Sequence, residues 1–410
     1  MRVIFLGHAC HLVESDGRRI LTDPWLTDGA FGGLVEHDPP LAFSIDDVGP
    51  IDAICLSHGH LDHFNAPTLA AVSDKDVPVV HPPVAHTELD DNLRRLGFTN
   101  LHARSDWEPF ELGAVSIVPT PSRGVLDECA FFFRGSDGAF WNGVDAPQPP
   151  DLVGEIRERL GVADLVAVSH NSFNQPALFG LAPMKDGDHG PAGAAQSAIL
   201  LGARAALPAA SNLRWCGVRG AAITDKVIRR GAESFLEHLA AAQPGIDGLA
   251  LAPGDGWSRE GGVERGLVCG GPPERVAHDY VHRFLDTGER WCADARPTTH
   301  EIFAQALPRR TAAAPEASRY VGVPVLFEVE GEDRATFTID FSQPGSPSVA
   351  GDHGAACGLS IEDDDLKDLF ERRSSWQILM MSDRLRVTRL RHGAPPDGLH
   401  FVYAMQALFP

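Results

Sequence analysis

The chain reads as an α/β protein built in packed layers, followed by a small C-terminal α+β appendage. Three observations carry that reading. Over the first ~220 residues, a group of strands followed by helices occurs twice, as a duplicated layered architecture requires. Beyond about residue 310 the pattern changes to a hairpin, a helix and late strands. Finally, His58-Gly59-His60-Leu61-Asp62-His63 follows an apolar run bounded by Pro50 and Ser57. Three imidazoles and a carboxylate therefore sit on a loop leaving a buried strand, where an α/β sheet places its chemistry.

Residues 3–6, 11–14 and 19–21 read as the first strands, the last two joined by Ser15-Asp16-Gly17, which is hairpin chemistry. Residues 27–50 are rich in Gly and Pro and read as a long loop. The strand at 51–56 delivers the histidine cluster. Residues 66–72 follow as a short helix, with Asn65 as cap and Pro67 in the first turn. A strand at 77–80 and a helix at 89–96 come next. Strands at 107–112 and 115–119 precede a hairpin of 131–134 and 139–141 around Gly135-Ser136-Asp137-Gly138. That hairpin ends at Asn142-Gly143-Val144-Asp145. A helix at 151–160, a strand at 165–169 ending at His170, and a polar loop at 171–190 follow. A helix at 193–202, a strand at 205–208 and an amphipathic helix at 226–242 close the first part. The appendage holds strands at 323–330 and 335–341, a helix at 361–371, and strands at 385–390 and 400–405.

Composition bounds the function. The chain has 410 residues, 43% hydrophobic, enough for two or three domains with sizeable cores. Its 35 basic and 56 acidic residues give a net charge of −21. Such a chain repels nucleic acid and anionic membrane, so neither is expected as a partner. The seven cysteines are scattered and form no C-x-x-C pair, which fits a reducing, cytoplasmic location and argues against a disulfide framework. The opening apolar run is too short for a signal peptide, and no membrane span is expected. No phosphate-binding glycine loop or nicotinamide motif is apparent, so no organic cofactor is expected. The Ala/Arg/Gly/Pro usage suggests a high-GC bacterial source.

Imidazole and carboxylate are ligands for Zn, Fe or Mn, and four within six residues cannot all reach one ion. Two adjacent transition-metal ions are the natural reading. His58 and His60 alternate along the loop and can face one ion, while Asp62 and His63 reach the second.

The His58-x-His60-x-Asp62-His63 pattern after a buried strand resembles the signature of the metallo-β-lactamase fold superfamily. Phe5-Leu6-Gly7-His8-Ala9 and Ile20-Leu21-Thr22-Asp23-Pro24 resemble the opening of its lactonase and phospholipase branch. Trp141-Asn142-Gly143-Val144-Asp145 resembles the strand that delivers the metal-bridging aspartate. Residues 208–211, Trp376 and Val387-Thr388-Arg389 are similar, diffusely, to the CMP-N-acetylneuraminate hydroxylase branch. The resemblance covers about residues 1–260 and implies a four-layer αββα sandwich with a dinuclear site at one edge. The expected domains are then 1–265, catalytic, a connecting segment at 266–310, and the α+β domain at 311–410.

The resemblance also implies a ligand set. Asp145 is the bridging carboxylate, with a turn aspartate before Pro147 as the alternative. Two histidines usual in the hydrolytic branch are missing, one after Val118-Pro119 and one after Pro208. Glu128 is the candidate to replace the first, as in diiron oxygenases of this fold, with a surface carboxylate as the alternative. His170 is the candidate to replace the second. Asp23 is placed behind the ligands, fixing an imidazole tautomer, and His8 lines the site. Arg123 and Lys185 are candidates to hold an anionic substrate, and Asn174 and His189 to contact it. The activity implied is a non-heme diiron oxygenase acting on a small polar substrate and needing an external electron donor. The alternative is a dinuclear zinc or manganese hydrolase of an ester, lactone, amide or phosphodiester, with Asp62 or Asp145 orienting the attacking water. A metal-free scaffold protein is the third reading, and the intact cluster argues against it.

Overall fold

The computed structural model describes residues 1–83, 89–123, 128–144, 148–170, 190–216, 224–225, 231–273, 296–313, 321–343, 345, 347–371, 373–382 and 384–390. The chain divides into two compact units, the first holding the described residues up to 273 and the second those from 296 onward.

The first unit rests on two large sheets. One has eight strands in the spatial order Gly262–Glu264, Gly256–Ser258, Arg2–Gly7, Cys10–Ser15, Arg18–Thr22, Ala53–Cys55, Val79–His81 and Leu101–Ala103. The other has seven, in the order Asp247–Gly248, Ala205–Ala209, Leu165–Ser169, Gly138–Asn142, Cys129–Gly135, Val115–Pro121 and Phe110–Leu112. Each sheet begins with antiparallel hairpins and continues with parallel strands.

Strand alternation builds the layers, because successive side chains point to opposite faces. Val3, Phe5, Val13 and Ile20 of the first sheet meet Ile117, Phe131, Phe133, Phe140, Leu165 and Leu207 of the second in one buried core. Their neighbours Ile4, Leu6, Leu12 and Leu21 face outward and pack on Leu26, Leu41, Phe43 and Val48. Phe132, Trp141, Val166 and Ala206 face outward from the second sheet. They are covered by the helices Pro150–Leu160, Pro191–Leu200 and Ala232–Ala242. Two sheets with a covering layer on each outer face are the four layers expected. The Asp16-Gly17 turn joins Ser15 to Arg18 with positive φ at both central residues (50° and 73°), the twist that suits a two-residue hairpin.

Several expectations need correction. Residues 27–50 are not a bare loop. Gly29–Ala30, Val35–His37 and Leu213–Trp215 form a three-stranded sheet, and Ile45–Val48 is a helical turn. The pairing of Leu213 with His37 spans too much sequence for local patterning to reveal. The strand expected from 107 begins only at Phe110, since Trp107 adopts a positive φ of 68° in a turn. Of the helix expected at 226–242, the described part runs Ala232–Ala242, and 226–230 lie outside the described residues.

The second unit is a five-stranded sheet in the order Val349–Ala350, Ala335–Asp340, Pro324–Glu330, Cys357–Glu362 and Leu385–Leu390. The helices Leu307–Ala313, Asp363–Phe370 and Trp376–Met381 accompany it. Phe303 stacks on Phe337 with ring centres 4.3 Å apart and meets Phe327 edge-on, anchoring its helix to the sheet. Residues 361 and 362 end a strand rather than start the helix, because Ile361 pairs with Val329. The strand expected at 400–405 lies outside the described residues. No helix among the described residues is long and apolar enough to cross a membrane.

Candidate metal centre

The histidine turn leaves the strand Ala53–Cys55, and its own backbone closes it. The amides of His63 and Phe64 both donate to the His60 carbonyl, at 2.9 and 2.6 Å. The turn is then pinned to the helix Ala66–Ala71. Asn65 caps that helix by accepting from Thr68 N at 3.1 Å and Thr68 Oγ1 at 2.8 Å. Thr68 Oγ1 in turn accepts from the Leu26 amide at 2.9 Å.

Behind the turn lies Asp23, fully buried at a positive φ of 38°. Its Oδ1 accepts from the Ser57 amide at 2.7 Å and its Oδ2 from Ser57 Oγ at 2.8 Å. Oδ2 also lies 3.2 Å from His63 Nδ1. These contacts fix tautomers. Ser57 Oγ spends its proton on Asp23, so at 2.9 Å it accepts from His58 Nδ1–H. His63 Nδ1–H faces the carboxylate. Both rings therefore keep Nε2 as the lone-pair nitrogen, the form a metal ligand needs.

The front of the cluster has two halves. His58 Nε2 and His60 Nδ1 stand 2.8 Å apart, so the pair shares one place for a proton or a cation. Asp62, His63 and His8 form the other half, each offering a ligand atom within 4.8 Å of the others. The rings of His58 and His63 lie 4.1 Å apart, so the halves adjoin. His8 Nε2 is 3.2 Å from Asp62 Oδ2, yet neither His8 nitrogen nor Asp62 Oδ1 makes a hydrogen bond among the described residues. Burial alone would raise the Asp62 carboxyl. The adjoining His63 and His8 imidazoles instead hold it well below the carboxylate range. Buried donors left without hydrogen bonds beside an ionised carboxylate fit a cation.

Of the other residues singled out from sequence, His170 follows the strand Leu165–Ser169 and is buried, with Nδ1 held 3.2 Å from the Ala209 carbonyl. Burial lowers it to about 4, so it is neutral near pH 7. Glu128 adjoins Cys129, whose amide donates to the Ser57 carbonyl at 3.2 Å, which puts this strand start beside the histidine turn. Its Oε1 accepts from Ser122 Oγ at 2.8 Å. Arg123 is more than half exposed and pairs with Asp151 at 2.7 Å, at the start of the helix Pro150–Leu160. Asp145, Asn174, Lys185 and His189 lie outside the described residues. Asn142 braces the approach to Asp145 by accepting from Val144 N at 3.2 Å and donating to Thr22 Oγ1 at 3.3 Å.

Sequence reasoning missed Ser57 and His37. Ser57 read only as the polar end of a strand. His37 stacks on Trp25 with centres 3.8 Å apart, and Trp25 meets His8 edge-on at 5.5 Å. Burial lowers His37 to about 3, so it too is neutral. A Cβ on Gly7 would come 3.1 Å from His37 Nδ1, so Gly7, at φ 120°, is needed for this close approach. Cys10, Cys55 and Cys129 are buried, and burial pushes their thiols well up, so none is a thiolate nucleophile.

Residues 18–209 match the family model described as the beta-lactamase superfamily domain, and residues 303–388 match that of the SCP-2 sterol transfer family. The first unit thus carries a beta-lactamase superfamily domain of the metallo-β-lactamase fold. Among curated proteins, a putative Rieske 2Fe-2S iron-sulfur protein of Mycobacterium tuberculosis is 31% identical over 37% of this chain and 31% of its own length. The 4-amino-L-phenylalanyl-[CmlP-peptidyl-carrier-protein] 3-hydroxylase of Streptomyces venezuelae is 25% identical over 44% of this chain and 36% of its own. The cytidine monophosphate-N-acetylneuraminic acid hydroxylase of Cricetulus griseus is 34% identical over 34% of this chain and 23% of its own. The similarity to that hydroxylase branch is borne out. This chain spans only 23% to 36% of the length of these three relatives.

Proposed function

We propose that the first unit is the catalytic domain of a metal-dependent oxygenase that oxidises a small polar substrate at two transition-metal ions, iron before zinc or manganese. The observation that carries this is the juxtaposition of His58 and His60 with His8, Asp62 and His63 on one buried carboxylate–serine support. Two of the relatives are named as hydroxylases, which favours oxygen chemistry over hydrolysis.

His58 and His60 would hold one ion, with Glu128 as a further carboxylate donor. Asp62 and His63 would hold the other, with His170 behind it and Asp145 as the bridge. When bound, the ions supply activation of dioxygen or water. The chain does the rest. Asp23 and Ser57 orient His58 and His63, and the buried Trp25–His37 stack walls one side against solvent. Asp62 and Asp145 are the groups placed to hold or move protons. Arg123, Lys185, Asn174 and His189 remain the candidates for substrate contact, and an electron donor completes an oxygenase. The likeness of residues 303–388 to the SCP-2 sterol transfer family supports apolar-ligand binding by the second unit.

The second reading, a dinuclear metallohydrolase, is favoured by the beta-lactamase superfamily match itself. There Asp62 or Asp145 orients a water for attack on an ester, lactone, amide or phosphodiester. Elemental analysis of anaerobically purified protein, with an optical spectrum after oxidation, separates the two. Iron in both positions supports the oxygenase. Zinc without iron moves the assignment to the hydrolase, and a chain that binds neither ends both.

A further inference from the structure

Among the described residues Asp62 and His63 are the two donors to their ion, and Asp145, proposed as the bridge, would be shared with the other ion, so one unshared donor is missing. A catalytic transition ion with an open position takes three protein ligands. The strand Ala205–Ala209 runs up to the site but brings none, because its end is Ala209 and Ala210. What that strand end does is hold His8. The Ala210 amide donates to the His8 carbonyl at 2.9 Å, and Ala9, Val144 and Ala210 pack together in a small buried cluster. The clasp brings three chain crossings to one point: the turn after Arg2–Gly7, the end of Gly138–Asn142 and the end of Ala205–Ala209.

The geometry points to His8 as the third unshared protein ligand of the ion held by Asp62 and His63, beside the bridging Asp145, with His170 as a positioning residue and not a ligand. The inference rests on reading the cluster as a metal centre. His8 is buried, its Nε2 stands 3.2 Å from Asp62 Oδ2, and its ring meets that of His63 edge-on at 5.3 Å. Neither ring nitrogen is used in a hydrogen bond among the described residues. His170 is buried as well but is held differently. Its Nδ1 is taken up by the Ala209 carbonyl, and it is not part of the group whose donors all lie within 4.8 Å. His8 also adopts a positive φ of 49°, uncommon for a residue other than glycine. That backbone conformation turns its side chain into the site, and the Ala210 clasp maintains it.

The test is anaerobic cobalt(II) titration of the full chain, read by d–d absorption and chelator competition. His8→Asn is the variant of choice, since Asn tolerates the left-handed backbone. It should weaken one of the two cobalt ions by more than ~100-fold, beyond the loss typical of a residue that only supports a ligand, and should lower the absorption of that ion. His170→Asn should retain both ions, with affinity within ~10-fold of the parent at the low end of such supporting effects. If His8→Asn does not fold, the parent protein still decides the matter. Cobalt(II) should shift the His8 ring resonances far outside the diamagnetic range and leave those of His170 closer to it. Binding and spectrum unchanged in His8→Asn would overturn the assignment of His8 while leaving the metal centre intact. A parent chain that takes up no cobalt would remove both.

Discussion

The two halves of the cluster are built differently. His58 is buried but His60 is partly exposed, and Glu128, at the adjoining strand start, is only partly buried. His8, Asp62 and His63 are all buried, and His63 faces Asp23 directly. One half is open to solvent and carries two imidazoles on a single turn. The other is closed and draws its donors from two separate segments of chain. The lesson is that one short motif can serve two positions of unequal strength. The closed half should hold its ion more tightly, because less water competes and its groups are already oriented.

Three substitutions break or sharpen this contrast. The largest effect is expected from Asp62→Ala, which leaves two buried imidazoles facing each other without their anion. Metal analysis should find the closed half empty while circular dichroism shows the fold intact, and full metal content in this variant would remove the contrast. Next comes Asp23→Asn, which disturbs the backing of both halves. Each ion should weaken ~10–100-fold in chelator competition, with the closed half losing more because His63 faces Asp23 directly. An equal loss in both halves would argue that Ser57 carries the coupling alone. The smallest effect belongs to Glu128→Ala, which should weaken only the open half, by about tenfold at the low end of such losses. An unchanged ion count and affinity would return that donor position to another group.

Much of the site was legible because its signals are local. Six adjacent residues announce the histidine cluster, Asn65 and Pro67 announce the helix that follows, and Asp16-Gly17 announces a hairpin. Asp23 was legible as a support through resemblance. What escaped depends on distant pairing. Ser57 gains its role only when Asp23, thirty-four positions earlier, folds beneath it. His37 reaches the site because Val35–His37 pairs with Leu213–Trp215, and neither segment has the length or alternation that marks a strand. His8 reads from the sequence as lining the site, but the grip of Ala210 on its carbonyl is not legible there. In the second unit, the junction at 361–363 misled because Ile361 fits a helical apolar face as well as a sheet position, and only its partner Val329 decides between them.

The Ser57 hydroxyl touches both halves, lying 2.9 Å from His58 Nδ1 and 3.5 Å from His63 Nδ1 while it donates to Asp23. It has a single hydrogen to place. Were that O–H to swing toward either ring, that imidazole would have to give up its Nδ1 proton and present N–H, not a lone pair, to the cleft. In the proposed metal centre the two positions would therefore share one rotor: a cation on either ring excludes the O–H orientation toward that ring.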